Sequence, residues 1–231
     1  MDILKRKVIL LITIVLLLLS HPLLFAADDF DEMSKKIYKN DIEGVKELLA
    51  RGIDVNIRGV TRGTTPLMVA CSIEGTYEII ELLISKGADV NIKETQGGRT
   101  PLMLASHNSK KAVEILLEKG AEVNVIGTDG MTAFIQSIFG ILSGSVTTEV
   151  CDLLLEKGAD VNSQLAGPDA IGWTALMFAT SNEKLDLVKY LISKGADVKL
   201  KAKDGTTALS LAIKNKNEEI IKLLKTKGAK E

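Results

Sequence analysis

The chain is poor in the residues that most active sites are built from. Its 231 residues include two cysteines, two histidines and one tryptophan, and only 4% are aromatic. So few aromatics disfavour a β-sandwich and suit helices packed through Leu, Ile, Val and Ala. One histidine, His21, falls in the N-terminal leader described below, which leaves His107 at a solvent-facing helix position. A single imidazole cannot build a histidine metal site. Neither Cys71 nor Cys151 has a histidine or a second cysteine at ligand spacing, so a thiol nucleophile is not expected. The glycine-rich stretch Gly97-Gly98-Arg99 lacks the strand and the Lys-Ser/Thr of a phosphate loop. A net charge of −1, with Lys alternating with Glu along helix faces, gives no basic stripe for nucleic acid. No acid, base and electrophile come together, so the chain reads as non-enzymatic, without cofactor or metal.

What it has is apolar bulk, 46% of residues, unevenly placed. Lys5, Arg6 and Lys7 precede an apolar run from Val8 to Leu19, then Pro22 and Phe25-Ala26-Ala27. Basic head, apolar middle and small residues at the end are the parts of a secretory signal peptide, here residues 1–27. The run reaches about 18 Å as a helix, short of the ~30 Å hydrocarbon core. Cleavage after Ala26 or Ala27 leaves Leu24 or Phe25 where a small residue is preferred, so an uncleaved anchor from Val8 to Ala27 is the rival reading. The expectation is an exported protein, periplasmic or secreted, of bacterial style, touching a membrane only if that segment is retained.

The rest of the chain repeats itself. Ser85–Asn91 reads SKGADVN, and EKGAEVN, EKGADVN and SKGADVK follow at Glu118, Glu156 and Ser193, with weaker echoes at Ala50 and Thr226. A second phrase keeps step: TPLMVA from Thr65, TPLMLA from Thr100, a degraded TAFIQS from Thr132, TALMFA from Thr174 and TALSLA from Thr207. Successive glycines (Gly52, Gly87, Gly120, Gly158, Gly195, Gly228) are 35, 33, 38, 37 and 33 residues apart.

Each letter has a physical reason. Threonine caps a helix start, and Pro66 and Pro101 fit the first helical position. Leu67 and Leu102 face inward, while Ala70 and Ala105 let the next helix approach. The second helix carries clustered apolar residues such as Ile79, Ile80, Leu82 and Leu83. The glycine then supplies a left-handed residue past the helix end, and Asp-Val-Asn turns the corner, with Asn suited to local backbone hydrogen bonds. Aligned on the glycines, Cys151 falls in the core column of Ile80, Val113, Val188 and Ile221, so both cysteines are expected as free, buried thiols.

A period near 33 with this wording resembles the ankyrin repeat, over nearly all of residues 29–231. The resemblance implies an all-α solenoid of about six stacked helix-turn-helix units with β-turn fingers, in a domain spanning 28–231. Its units would run Asp29–Ile57, Val60–Ile92, Thr95–Val125, Gly127–Asn162, Asp169–Lys199 and Ala202–Glu231. Met68, Met103 and Met177 take the place of the family's usual histidine. The first unit and the Lys/Glu-rich last unit read as polar caps.

Two breaks in the rhythm fall side by side. Gly140–Thr148 (GILSGSVTT) is extra between the helices of unit four and should lengthen their loop; Ser163–Ala170 (SQLAGPDA) lengthens the following finger. Loops accept insertions at small entropic cost, so drift is one explanation. The other is a contact surface. In this family partners meet the finger tips and the first-helix face, which here carry Met131, Phe139, Ile171 and Trp173, with Arg62, Arg99, Lys203, His107 and Asn108 on neighbouring units. Trp and Arg are frequent binding hot spots, although Trp173 could instead pack on the preceding finger. The expected function is a monomeric protein-binding module of unidentified partner; the alternative is an inhibitor or immunity-type factor that blocks or protects one exported enzyme.

Overall fold

In a computed structural model of the chain, residues 28–166 and 172–230 are described. Residues 1–27, expected above to be a leader, and Ile171 lie outside them. The described residues hold twelve helices and no strand: α1 (28–38), α2 (Ile42–Ala50), α3 (Pro66–Cys71), α4 (Tyr77–Ser85), α5 (Pro101–Asn108), α6 (Lys110–Glu118), α7 (Ala133–Ser143), α8 (Thr148–Glu156), α9 (Ala175–Ser181), α10 (Leu185–Ser193), α11 (Ala208–Lys214) and α12 (Glu218–Thr226). From α3 to α11 the odd-numbered helices stack on one another, and the even-numbered ones form a second layer behind them. This is the helical solenoid that the repeat period implies.

The recurring phrases work as local switches. Thr65, Thr100, Thr132, Thr174 and Thr207 each accept the N–H three residues on, at 3.0–3.4 Å, which starts the odd helix. Pro66 and Pro101 fill the first turn, where no N–H is missed. At the far end of the even helices, Gly87, Gly120, Gly158 and Gly195 adopt φ of 86–93°, open to glycine and strained for other residues. Between these points Leu67, Leu83, Leu102, Leu116, Leu154 and Leu191 are buried, each worth about 1.5–3 kcal/mol of burial. Met68, Met103 and Met177 are buried too, so packing replaces a histidine's polar wiring. Cys71 and Cys151 are free and buried.

The corner asparagines depart from expectation. Their bonds are not local. The Asn56 amide donates to Gly87 O (3.1 Å) and accepts from Asp89 N–H (2.9 Å), clipping its unit to the next. Asn91 makes the same pair with Gly120 O and Glu122 N–H, Asn124 with Gly158 O and Asp160 N–H, Asn162 with Gly195 O and Asp197 N–H. The local turn is held instead by the preceding aspartate, as where Asp54 Oδ1 accepts the Asn56 N–H. At the end of the fifth unit the position is Lys199, which has no amide to make the clip.

The insertion in unit four also differs from expectation. Rather than a longer loop it produces a longer helix: α7 has eleven residues where its counterparts have six to eight. Gly140, Ile141, Leu142 and Ser143 continue the helix, and Gly144 ends it in the left-handed conformation at φ 80°. Apolar residues on the added turn keep packing, so extension is favoured over an exposed loop. Gly140 is required by close approach, because a Cβ there would lie 2.5 Å from the carbonyl oxygen of His107 on α5.

Candidate functional site

Because the odd helices form the inner layer, side chains just before each capping threonine and near each odd helix's end share one face. On that face the fourth and fifth units bring three aromatic rings together. Phe139 of α7 meets Phe178 of α9 edge-on, with centroids 4.9 Å apart and planes at 63°. Trp173, the residue before the Thr174 cap, meets the same ring at 5.2 Å and 58°. These are the offset and edge-on geometries that aromatic quadrupoles favour. All three rings are half-buried, so a continuous aromatic ridge faces outward from a packed base.

The lengthened finger is fixed where it enters and leaves. Gln164 and Thr174 form an antiparallel bridge, and Leu165 N–H donates to Trp173 O at 3.0 Å. The Gln164 side-chain amide donates to Gly172 O (2.8 Å) and Lys201 O (2.9 Å), tying this finger to the next. Arg58 does the same in the second unit, from Nη1 to Gly63 O (3.0 Å) and Lys93 O (2.9 Å). Trp173 is thereby held in place, as a binding anchor must be if ordering entropy is not to be spent on association.

The structure separates the remaining candidates. Met131 is half-buried at the turn of finger four, its N–H bound to Asp129 Oδ1 at 3.1 Å. Arg62 is exposed, and its carbonyl accepts from Thr95 N–H (2.8 Å) and Oγ1 (2.9 Å). Arg99 is committed inside its own finger, Nε to Glu94 Oε1 at 2.7 Å, with that carboxylate buried. Its pairing gives a structural reason for an arginine there. His107 is not solvent-facing as expected but half-buried, its Nδ1 3.1 Å from Asn108 Oδ1, because the long α7 covers the end of α5. Lys203 is exposed on the sixth finger, with its backbone N 3.2 Å from where a Cβ on Gly172 would be. Phe178 was not singled out from the sequence. The signal was there: its column reads Val69, Leu104, Gln136, Phe178 and Leu211, with one aromatic.

On the opposite side the same two units are stapled. Tyr190 of α10 donates to Asp152 Oδ1 (2.7 Å) and to Thr148 O (3.2 Å), and Lys194 Nζ lies 2.8 Å from the same carboxylate oxygen. The Lys194 ammonium, then the Tyr190 hydroxyl, hold the Asp152 carboxyl below its ordinary range. Burial first, and bonding to Asp152 second, push the Tyr190 phenol well above its own. Beside this staple lies a groove of about 710 Å³ between Ile141, Thr148, Leu185 and Leu187. Burial keeps both thiols protonated: Cys151 is pushed up to about 11 and Cys71 higher still. Among the described residues no group of three His, Cys, Asp or Glu could hold a metal, and no helix is long and apolar enough to cross a membrane.

Comparison with known proteins agrees with this architecture. The family model described as ankyrin repeats (3 copies) matches residues 33–127 and 142–231. Among solved structures, the chain resembles one chain of the Bd0816 predatory endopeptidase from Bdellovibrio bacteriovorus in complex with immunity protein Bd3460. The TM-score is 0.71 at 30% identity, over 85% of this chain and 97% of that one. Ankyrin repeat and SAM domain-containing protein 6 of Rattus norvegicus is 50% identical over 54 residues, and its Mus musculus counterpart 48%. The match spans 23% of this chain and about 6% of those two relatives.

Proposed function

Since the chain belongs to the ankyrin-repeat family, whose repeats mediate protein–protein interaction, we propose that it is a non-enzymatic binding module whose contact surface centres on units four and five. The observation that carries this reading is the ridge of Phe139, Phe178 and Trp173, a rigid aromatic patch in the one region where the repeat is lengthened twice. Met131 lies on the finger of the fourth unit, and Arg62 and His107 stand on units two and three. Aromatic anchors on a preformed surface bind with little ordering cost and dominate interface energies. The protein acts after export, with residues 1–27 directing it.

A second reading, that the partner is one exported enzyme which the chain blocks or protects, is supported by a specific finding. The likeness covers 97% of a chain from a complex between a peptidase and an immunity protein, so it extends beyond one or two generic repeats. Pull-down of the protein from the exported fraction with mass spectrometry tests both. A general module retains several partners and the specific factor one enzyme. Trp173→Ala and Phe139→Ala each weaken capture at least tenfold, and unchanged capture by both variants places the surface elsewhere.

A further inference from the structure

The two ends of the array are capped differently. The first unit is polar but paired within itself, through Lys36–Asp41 at 2.8 Å, Lys46–Glu43 at 2.7 Å and Arg51–Glu32 at 3.3 Å. The last stretch is dominated by one sign. Residues 199–231 contain nine lysines against four acids, whereas residues 28–198 contain seventeen cations against twenty-five acids. A chain whose charges nearly cancel as a whole is therefore negative along most of its length and positive at its carboxyl end. An end unit needs only polarity to stay in water, and the first unit achieves this with both signs. The surplus of five positive charges at the other end calls for a separate reason.

These lysines face outward. Lys201, Lys214, Lys216 and Lys230 are exposed and make no ion pair among the described residues. They spread around the end, from the sixth finger past the close of α11 to the residues after α12. Between them lies a groove of about 310 Å³ lined by Lys201, Leu209, Ile213 and Lys230, and Ile213 is 42% exposed. The acids of this stretch have local work: Asp204 Oδ1 accepts the Thr206 N–H at 2.9 Å, and Glu218 and Glu219 complement the dipole at the start of α12. The acids of unit four stand two helix layers away, roughly 20 Å, against a screening length of about 8 Å at physiological salt. The end thus presents its own positive field.

The type of cation indicates the type of partner. No arginine follows Arg99, and ammonium groups lack the planar fork that grips a single carboxylate or phosphate in a fixed geometry. Point charges scattered around one end, with one isoleucine exposed among them, match a broad, charge-dense plane better than a converging peptide site. We propose that the carboxyl-terminal unit rests on an anionic lipid surface, its lysines against the headgroups and Ile213 at their boundary with the acyl chains. The remaining units, net negative, are repelled by that surface. The molecule stands on its last unit and leaves the aromatic ridge clear for a protein partner, on which this contact does not depend.

Hydrogen exchange of the full chain, with and without vesicles of phosphatidylcholine holding about one-third phosphatidylglycerol, tests the proposal. Expected is slower exchange in the sixth finger, α11 and α12, absent on pure phosphatidylcholine and lost between about 50 and 300 mM salt. Lys214→Gln with Lys216→Gln, or Lys201→Gln with Lys230→Gln, raises the lipid concentration for half-maximal protection at least fivefold. Ile213→Ser raises it about threefold. All five residues are exposed, so the helical circular-dichroism signal is unchanged. Trp173→Ala leaves the lipid dependence as it was, so failure of the ridge reading and failure of this one are told apart. Equal protection on neutral vesicles, an unprotected last unit, or a loss that follows Trp173 overturns the proposal. So does protection confined to α1, which assigns the contact to residues 1–27. Protection that grows with protein concentration in the absence of lipid assigns the end to a second copy, and equal protection by polyglutamate assigns it to an acidic polypeptide. Either result overturns the proposal.

Discussion

Units two and three and units four and five are built on one plan, yet they spend their free positions differently. Before the cap, the first pair places Thr64 and Arg99, the second Met131 and Trp173. Near the end of the odd helix the first pair has Ser72 and His107, the second Phe139 and Ser181. In the fifth place of the capping phrase, Val69 and Leu104 face Gln136 and Phe178. The core columns hardly change between the two regions, because each unit must bury the same stripe against its neighbours. The difference teaches that stability is written in the repeated letters and recognition in the unrepeated ones. Four sets of substitutions break or sharpen that contrast.

The largest effect belongs to the shared core. Leu116→Ala and Leu154→Ala, one in each region and both fully buried, should each cost about 2–5 kcal/mol in urea unfolding, with no preference for either region. A cost confined to one of them would show that the regions are not energetically alike.

Next is the approach peculiar to unit four. Gly140→Ala places a methyl 2.5 Å from the His107 carbonyl oxygen, which must be relieved by moving α7 away from α5. A loss of about 1–3 kcal/mol is expected. The matching positions Ile73 and Asn108 already carry a Cβ, so Ile73→Ala measures only lost packing. If Gly140→Ala melts with the wild type, the close approach is not a constraint.

The corner clips come third. Asn91→Ala or Asn162→Ala removes two bonds to the following unit, worth about 0.5–1.5 kcal/mol each. The reverse change, Lys199→Asn, should add a fraction of that and slow hydrogen exchange in α11 and α12. Exchange unchanged in those helices would show that the amide clip does not couple units.

The smallest effect probes the staple behind units four and five. Asp152 is held below its usual range, so its contribution is present above about pH 4 and is lost as pH falls through the lowered value. Tyr190→Phe removes one cause of that lowering. The variant should therefore lose less stability than the wild type between pH 6 and pH 3. The difference is a few tenths of a kcal/mol, because the carboxylate is partly exposed. Parallel curves for the two proteins, measured as urea midpoints, would remove Tyr190 from the linkage.

Much of this molecule could be read from its letters. Caps, first-turn prolines, left-handed glycines and the buried leucines follow from local rules, and local rules repeat visibly. Four things did not follow. The asparagine clip joins residues about thirty apart, a distance at which one sequence gives no hint of pairing, so a short-range role was the natural reading for Asn56 and Asn91. The run Gly140-Ile141-Leu142-Ser143 reads as a loop because glycine opens it, whereas the neighbouring α5 backbone makes that glycine a packing requirement. Phe178 hid inside a phrase otherwise devoted to the core, and Arg99 seemed available because the buried Glu94 opposite it lies within the same finger.

The substitution of lysine for asparagine at residue 199 gives the array a polarity. Four units are latched forward to the next by an asparagine that would have to release two backbone groups at once, and the fifth, ending in Lys199, is not. The final pair of helices lacks that clip and is tied to the fifth unit at the other end of α11, where the Asn215 amide donates to Ser181 O at 3.1 Å. One interunit clip fewer at the carboxyl end predicts that limited proteolysis of the native protein trims α11 and α12 before it reaches the aromatic ridge.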